Sequence, residues 1–180
     1  MSSILTYTGI MFDPMAPERD KIDPRDIAHA LSMLCRANGH FPHFYSVAQH
    51  CINCKNEAEA RGYSPRVQLA CLLHDASEAY LSDITRPIKP LLTAYLEAER
   101  VLQNAIYEKW FSPSLSEEEL KLVSLVDDDV LYCEFLRLTG MRLSDTEPQM
   151  SSVPDLETRD FSAVENGYLH VLSMMTREEH

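Results

Sequence analysis

Ten consecutive positions, "HDASEAYLSD", hold His74, Asp75, Glu78 and Asp83. His74 and Glu78 are four residues apart, a spacing that places both on one face of a helix. Asp75 is turned by about 100° around the axis, still within reach of the same ion. The stretch follows an apolar run through Val67, Leu69, Leu72 and Leu73, so the imidazole is expected near a buried surface. Burying imidazole and carboxylate is costly unless something compensates. A metal ion is one compensator; an amphipathic helix with an exposed polar end is the plainer alternative.

Two further segments carry the same chemistry. "FYSVAQHCINC" sets His50 in a helical pattern whose other face holds Val47 and Ile52. A lone histidine in that setting is commonly a core residue. "LVSLVDDDVLYCEF" puts Asp127, Asp128 and Asp129 in the middle of an apolar helix. Three consecutive Asp cannot share one face, so at least one must point toward Leu122, Val126, Val130 and Leu131. With His50, His74 and Asp75, one Asp of the triplet completes a set of two imidazoles and two carboxylates. Such a set suits one divalent first-row metal (Mn, Fe, Co, Ni or Zn) with positions left open for water and substrate. "CINC", with Cys51 and Cys54, stands without a second Cys pair and is expected to serve helix packing.

The elements that must position these groups are helical. Asp23 and Pro24 begin a helix that the pattern carries toward Gly39; a second runs from about Ser46 to Arg61 before Gly62. Ser64 and Pro65 open a third, which is expected to carry His74 and Glu78. A fourth spans about Leu91 to Phe111. Ser116 and Glu119 form a capping box for a fifth, ended by Gly140. Residues 141 to 157 read as an irregular loop, and a last helix covers about Ser162 to Met174. Only "ILTYTGIMF" alternates, as a short N-terminal hairpin or extended arm. The expected fold is therefore all-α, with residues 1–180 as one domain.

The bulk composition narrows the partners. Apolar residues make up 45% of the 180-residue chain, enough for a real core. The net charge of −12 argues against binding to nucleic acid polymers or anionic membranes. No apolar run approaches the roughly 20 residues of a membrane span, and the N-terminus lacks the features of a signal peptide. Five Cys without a disulfide-like spacing point to reduced thiols and a cytoplasmic location.

The order His, His-Asp, Asp on an all-α scaffold resembles the HD-domain superfamily of metal-dependent phosphohydrolases. "HDASEAYLSDITRPIK" is similar to the "HDxSExxxxDxPxPxK" pattern of bacterial HD-domain 5′-deoxynucleotidases. "CRANGHFPHFYSVAQHC" and "VDDDVLYCE" resemble the first and last ligand regions of small, often prophage-encoded HD hydrolases. The likeness spans residues 1 to about 140. It implies an HD-domain helical bundle with His50, His74, Asp75 and Asp127 as metal ligands. It also implies Glu78 as catalytic acid/base and Asp83 as the residue shaping the substrate site, with Arg36 and Lys89 contacting the substrate phosphate. Arg36 stands one residue closer to the first ligand than in the deoxynucleotidases. Thr85-Arg86 replaces their Pro-Thr, so the loop and the substrate choice are expected to differ. His40 and His43 do not match the second-metal spacing of some HD enzymes, and line the pocket or serve the fold.

The activity implied is release of phosphate from a (deoxy)nucleoside 5′-monophosphate. The alternatives are another nucleotide phosphate ester, cyclic or polyphosphate, or a non-catalytic nucleotide-binding accessory protein. Related nucleotidases are often dimeric, and a homodimer is expected.

Overall fold

Four short polar side chains start the helices that matter most. Asp23, Ser46, Ser64 and Ser116 each accept a hydrogen bond from a backbone N–H of the first turn, of Arg25, Gln49, Val67 and Glu119 respectively. Ser46 and Ser116 form full capping boxes, with Gln49 and Glu119 reaching back to the cap. Pro24 and Pro65 occupy first helical positions, where the missing N–H costs nothing.

The computed structural model describes residues 3–177. Within them the chain is all-α with one short hairpin. The helices are α1 (Pro24–Met33), α2 (Val47–Ala60), α3 (Pro65–Leu73), α4 (Glu78–Leu81), α5 (Thr93–Trp110), α6 (Glu117–Thr139) and α7 (Phe161–Arg177). Strands β1 (Ile4–Leu5) and β2 (Met11–Phe12) pair antiparallel, Ile4 opposite Phe12. Phe12 is fully buried, its ring centroid 4.4 Å from that of Tyr80, which seats the hairpin against α4.

α2 lies along α3, both pack on α6, and α1 packs on α7. Ile27, Leu31, Val47, Leu69, Leu72, Leu102, Ile106, Val126 and Tyr168 are buried between them. The α2–α3–α6 junction is where the chemistry-bearing residues meet. Among the described residues, no helix is long and apolar enough to cross a membrane.

Two helices end earlier than the pattern predicts. α1 stops at Met33 rather than near Gly39. Leu34 and Cys35 turn extended; Cys35 bridges to Ser46, and Arg36 N–H donates to Tyr45 C=O at 2.8 Å. Ala37 and Asn38 then take left-handed φ of 53° and 50°, so the chain reverses and Arg36 faces inward. α3 stops at Leu73, and His74 and Glu78 do not share one continuous helix. Residues 74–77 form a tight turn with i→i+3 bonds, including Ala76 N to Leu73 O at 3.0 Å. Gln103 of α5 bridges the break: its amide donates to Leu73 C=O at 2.8 Å and its carbonyl accepts from Ser77 N–H at 3.1 Å. The groups freed by breaking the helix are thus satisfied from outside it.

After α4, Ser82 adopts φ 74° and ψ 156°, a region that disfavours side chains. Its N–H bonds to Glu78 C=O and its C=O accepts from the Tyr95 hydroxyl at 2.7 Å. The turn directs residues 83–89 over the α2–α3–α6 junction. The 141–157 loop is irregular, as expected, but it is pinned by one face of α2. Gln49 donates to Glu157 C=O, Asn53 exchanges bonds with the Asp155 backbone, and buried Glu57 accepts from Ser151 and Ser152.

Candidate metal centre and cleft

His50, on α2, is fully buried. Its Nδ1 lies 2.7 Å from Glu134 Oε1, and a carboxylate can only accept, so Nδ1 carries the proton. His74 Nδ1 likewise donates to Cys71 C=O at 2.7 Å. Both bonds leave Nε2 as the free nitrogen, and the two Nε2 atoms are 3.3 Å apart.

The carboxylates close on the same point. Asp127 Oδ1 is 3.0 Å from His50 Nε2 and 3.6 Å from His74 Nε2. Asp75 Oδ2 is 3.3 Å from His74 Nε2 and 3.8 Å from His50 Nε2. Of the triplet, Asp127 is the residue that faces inward. Asp128 pairs with Arg86, and Asp129 pairs with Arg61 at 2.8 Å. The donor atoms of His50, Cys54, His74 and Asp127 all lie within 4.8 Å of one another, and those of Cys51, His74 and Asp75 form a second such group, so residues that could hold a metal ion are present. Imidazole, carboxylate and thiol donors of this kind fit a divalent first-row metal. The second bond of each imidazole, to Glu134 and to the Cys71 carbonyl, is the support that orients a metal-binding histidine.

Cys54 also approaches the cluster, 3.5 Å from His50 Nε2 and 4.0 Å from Nδ1. Its sulfur is nearer Nε2 than Nδ1, on the side of the ring that faces His74 and Asp127. Burial pushes the Cys51 thiol up to about 11 and raises that of Cys54 well above its ordinary value. All five cysteines are free thiols.

Arg36 supplies positive charge to this acidic cluster. Its guanidinium is 3.2 Å from Asp75 Oδ2, 3.6 Å from Asp127 Oδ1 and 3.7 Å from Glu134 Oε2, with one nitrogen 2.9 Å from His50 Nε2. Burial raises the Asp75 and Asp127 pKa values, but the neighbouring imidazoles overcome it and both end below the usual carboxylate range. Burial lowers the imidazole pKa values, but the carboxylates win there too, and both imidazoles titrate above their ordinary value.

A cavity of about 360 Å³ opens above the centre. Arg36, Asp75, Asp127, Glu78, Asp83 and Lys89 all line it, together with an apolar wall of Ile84, Leu131, Phe135 and Leu143. Glu78 is 3% exposed and its Oε2 has no hydrogen-bond partner. Burial, reinforced by the charges of Asp75 and Asp83, raises its pKa well above the usual range. Asp83 is shifted upward as well, mainly by burial. Lys89 reaches the cavity wall, but its ammonium is held at 2.6 Å by Glu99 and sits over the Tyr95 ring. His40 is exposed, and His43 bonds to Leu156 C=O at 2.7 Å; neither lines the cavity.

Three features were not read from the sequence: the supporting role of Glu134, the closeness of Cys54, and the second cavity arginine. Arg86 bonds Asp127 Oδ2 at 2.6 Å and Asp128 Oδ1 at 2.5 Å. The departure at Thr85-Arg86 was the only signal for the last of these.

No family model matches the chain. It is 37% identical over 126 residues to the uncharacterized protein YfdR of Escherichia coli K12, covering 70% of this chain and 68% of YfdR. It is 33% identical over 129 residues to an uncharacterized protein of Rhodobacter capsulatus, covering 68% of this chain and 65% of that protein. At that identity and coverage, the chain belongs to the same family as YfdR.

Proposed function

We propose that this protein is a metal-dependent phosphohydrolase of the HD-domain type, releasing phosphate from (deoxy)nucleoside 5′-monophosphates. The observation that carries the reading is the closeness of His50 Nε2, His74 Nε2, Asp75 Oδ2 and Asp127 Oδ1 beside a cavity that buried Glu78 also lines. His50, His74, Asp75 and Asp127 would hold the ion, one of Mn, Co, Fe, Ni or Zn. When bound, it supplies a Lewis acid that polarises the phosphoryl group and acidifies water.

The chain's own residues do the rest. Glu78 keeps a proton at a carboxyl oxygen that no other group claims, and donates it to the leaving alkoxide as the P–O bond breaks. Water adds its oxygen to phosphorus, so the products are inorganic phosphate and a free alcohol. Asp83 faces the same cavity and is placed to accept a hydrogen bond from a sugar hydroxyl. Leu131, Phe135 and Leu143 offer an apolar wall suited to a nucleobase.

The test is a panel of nucleoside mono-, di-, tri- and cyclic phosphates incubated with Mn²⁺- or Co²⁺-loaded protein, with released inorganic phosphate measured. Turnover of monophosphates is expected. Nucleotide binding without phosphate release from any member would replace hydrolysis by an accessory binding role.

A further inference from the structure

A phosphoryl group entering the cleft needs cationic hydrogen-bond donors besides the metal. Three cations line the cavity: Arg36, Lys89 and Arg86. Two are already committed. The Arg36 guanidinium is buried among Asp75, Asp127 and Glu134, the charges that it offsets. The Lys89 ammonium is bound to a mostly buried Glu99 at 2.6 Å.

Arg86 differs. Its side chain is 54% exposed, and the two arms of its fork are held unequally. One arm donates to Asp127 Oδ2 at 2.6 Å, on the far side of the carboxylate whose Oδ1 faces the two imidazoles. The other arm donates to Asp128, whose side chain is 58% exposed. Ion pairs between exposed groups are weak and readily exchanged. Guanidinium binds phosphate oxygens through paired donors, in the same geometry that it uses for carboxylates. The first arm therefore keeps Arg86 beside the centre while the second can change partner.

We propose that Arg86 is the anion-receiving residue of the cleft. On binding, the arm held by Asp128 transfers to a phosphoryl oxygen of the substrate, and Asp128 acts as the resting occupant of that place. The proposal rests on the phosphohydrolase reading of the cleft, and it assigns to Arg86 the substrate contact that the family resemblance gives to Lys89.

The test uses inorganic phosphate as probe, titrated calorimetrically into Mn²⁺-loaded protein, with metal content measured for each variant. Arg86→Ala should weaken phosphate binding by about 10- to 100-fold, the loss expected for hydrogen bonds to a charged group. Arg86→Lys should fall between, since an ammonium cannot present the paired donors. Asp128→Asn removes the resting competitor and should tighten phosphate binding severalfold. Metal content should stay at the wild-type level in all three. The opposite signs of the Arg86 and Asp128 variants are the signature. If both weaken binding alike, Arg86 and Asp128 merely clasp the loop and the proposal fails. It fails too if Arg86→Ala strips the metal, or if the wild-type protein does not bind phosphate. Binding is read without turnover, so the two ideas separate. The expected pattern with no nucleotide hydrolysed overturns hydrolysis alone, whereas hydrolysis with an unchanged KM in Arg86→Ala overturns this assignment alone.

Discussion

Glu134→Gln isolates the support beneath the proposed metal ligand His50. Glu134 is fully buried, accepts from His50 Nδ1 and from the Tyr45 hydroxyl at 2.7 Å each, and faces the Arg36 guanidinium at 3.7 Å. Glutamine keeps the volume, so no cavity cost enters. It removes the charge that fixes the His50 tautomer and raises the basicity of Nε2. Losing such a support lowers metal affinity by about 10- to 100-fold, or about 1.4–2.8 kcal/mol. The metal-free protein should suffer independently. Removing one partner from a buried charge cluster costs about 3–5 kcal/mol, and Arg36 would lose one of its three carboxylates. Calorimetric titration with Mn²⁺ or Co²⁺ reads the first effect and urea denaturation of the metal-free protein the second. Tyr45→Phe is the mild comparison: it leaves the charge and removes one donor, at about 1 kcal/mol. Wild-type metal affinity in Glu134→Gln would refute the view that His50 is a ligand oriented from behind.

Glu78→Gln should abolish most phosphate release while leaving metal content unchanged; loss of metal as complete as in His74→Ala would make Glu78 a ligand instead. The raised His50 and His74 pKa values mean that the metal-free imidazoles retain protons that an incoming ion must displace. Metal affinity should therefore fall as pH is lowered and rise with pH until the imidazoles have titrated, with proton release visible as a buffer-dependent enthalpy. An affinity independent of pH would contradict imidazole ligation. Gln103→Ala leaves Leu73 C=O and Ser77 N–H without their side-chain partner and should destabilise the fold by about 1–3 kcal/mol in urea denaturation; a neutral result would show that water replaces the bridge.

The helices were legible because their starts are written locally. Ser116-Glu119 is a reciprocal cap found where expected, and the second helix starts at Ser46 as read, there closed by a box with Gln49 that the reading did not name. The polar cluster was legible in part for a related reason: His50, His74 and one Asp of the triplet stand in apolar runs where only a compensated polar group fits, while the choice of Asp127 came from the family resemblance. The end of α3 was not legible. The run from Val67 to Leu81 contains no Gly or Pro, and the group that stabilises the break, Gln103, lies thirty positions away from Leu73. The early end of α1 has the same character, since Arg36 is turned inward by bonds to Tyr45 and not by a local breaker. Asp83 and Lys89, singled out by the family resemblance, line the cavity. That Lys89 is already paired with Glu99, and that Asp128 holds Arg86, are facts of tertiary contact with no periodicity to announce them.

The central claim is hydrolysis at the His50–His74–Asp75–Asp127 centre. Its most direct measurement is inorganic phosphate released from nucleoside monophosphates by wild-type protein as Mn²⁺ or Co²⁺ is titrated, repeated in EDTA and with Asp127→Ala. Release should rise with metal, stop in EDTA, and be lost in Asp127→Ala at any metal concentration. Equal release in EDTA, or full activity in Asp127→Ala, would contradict it.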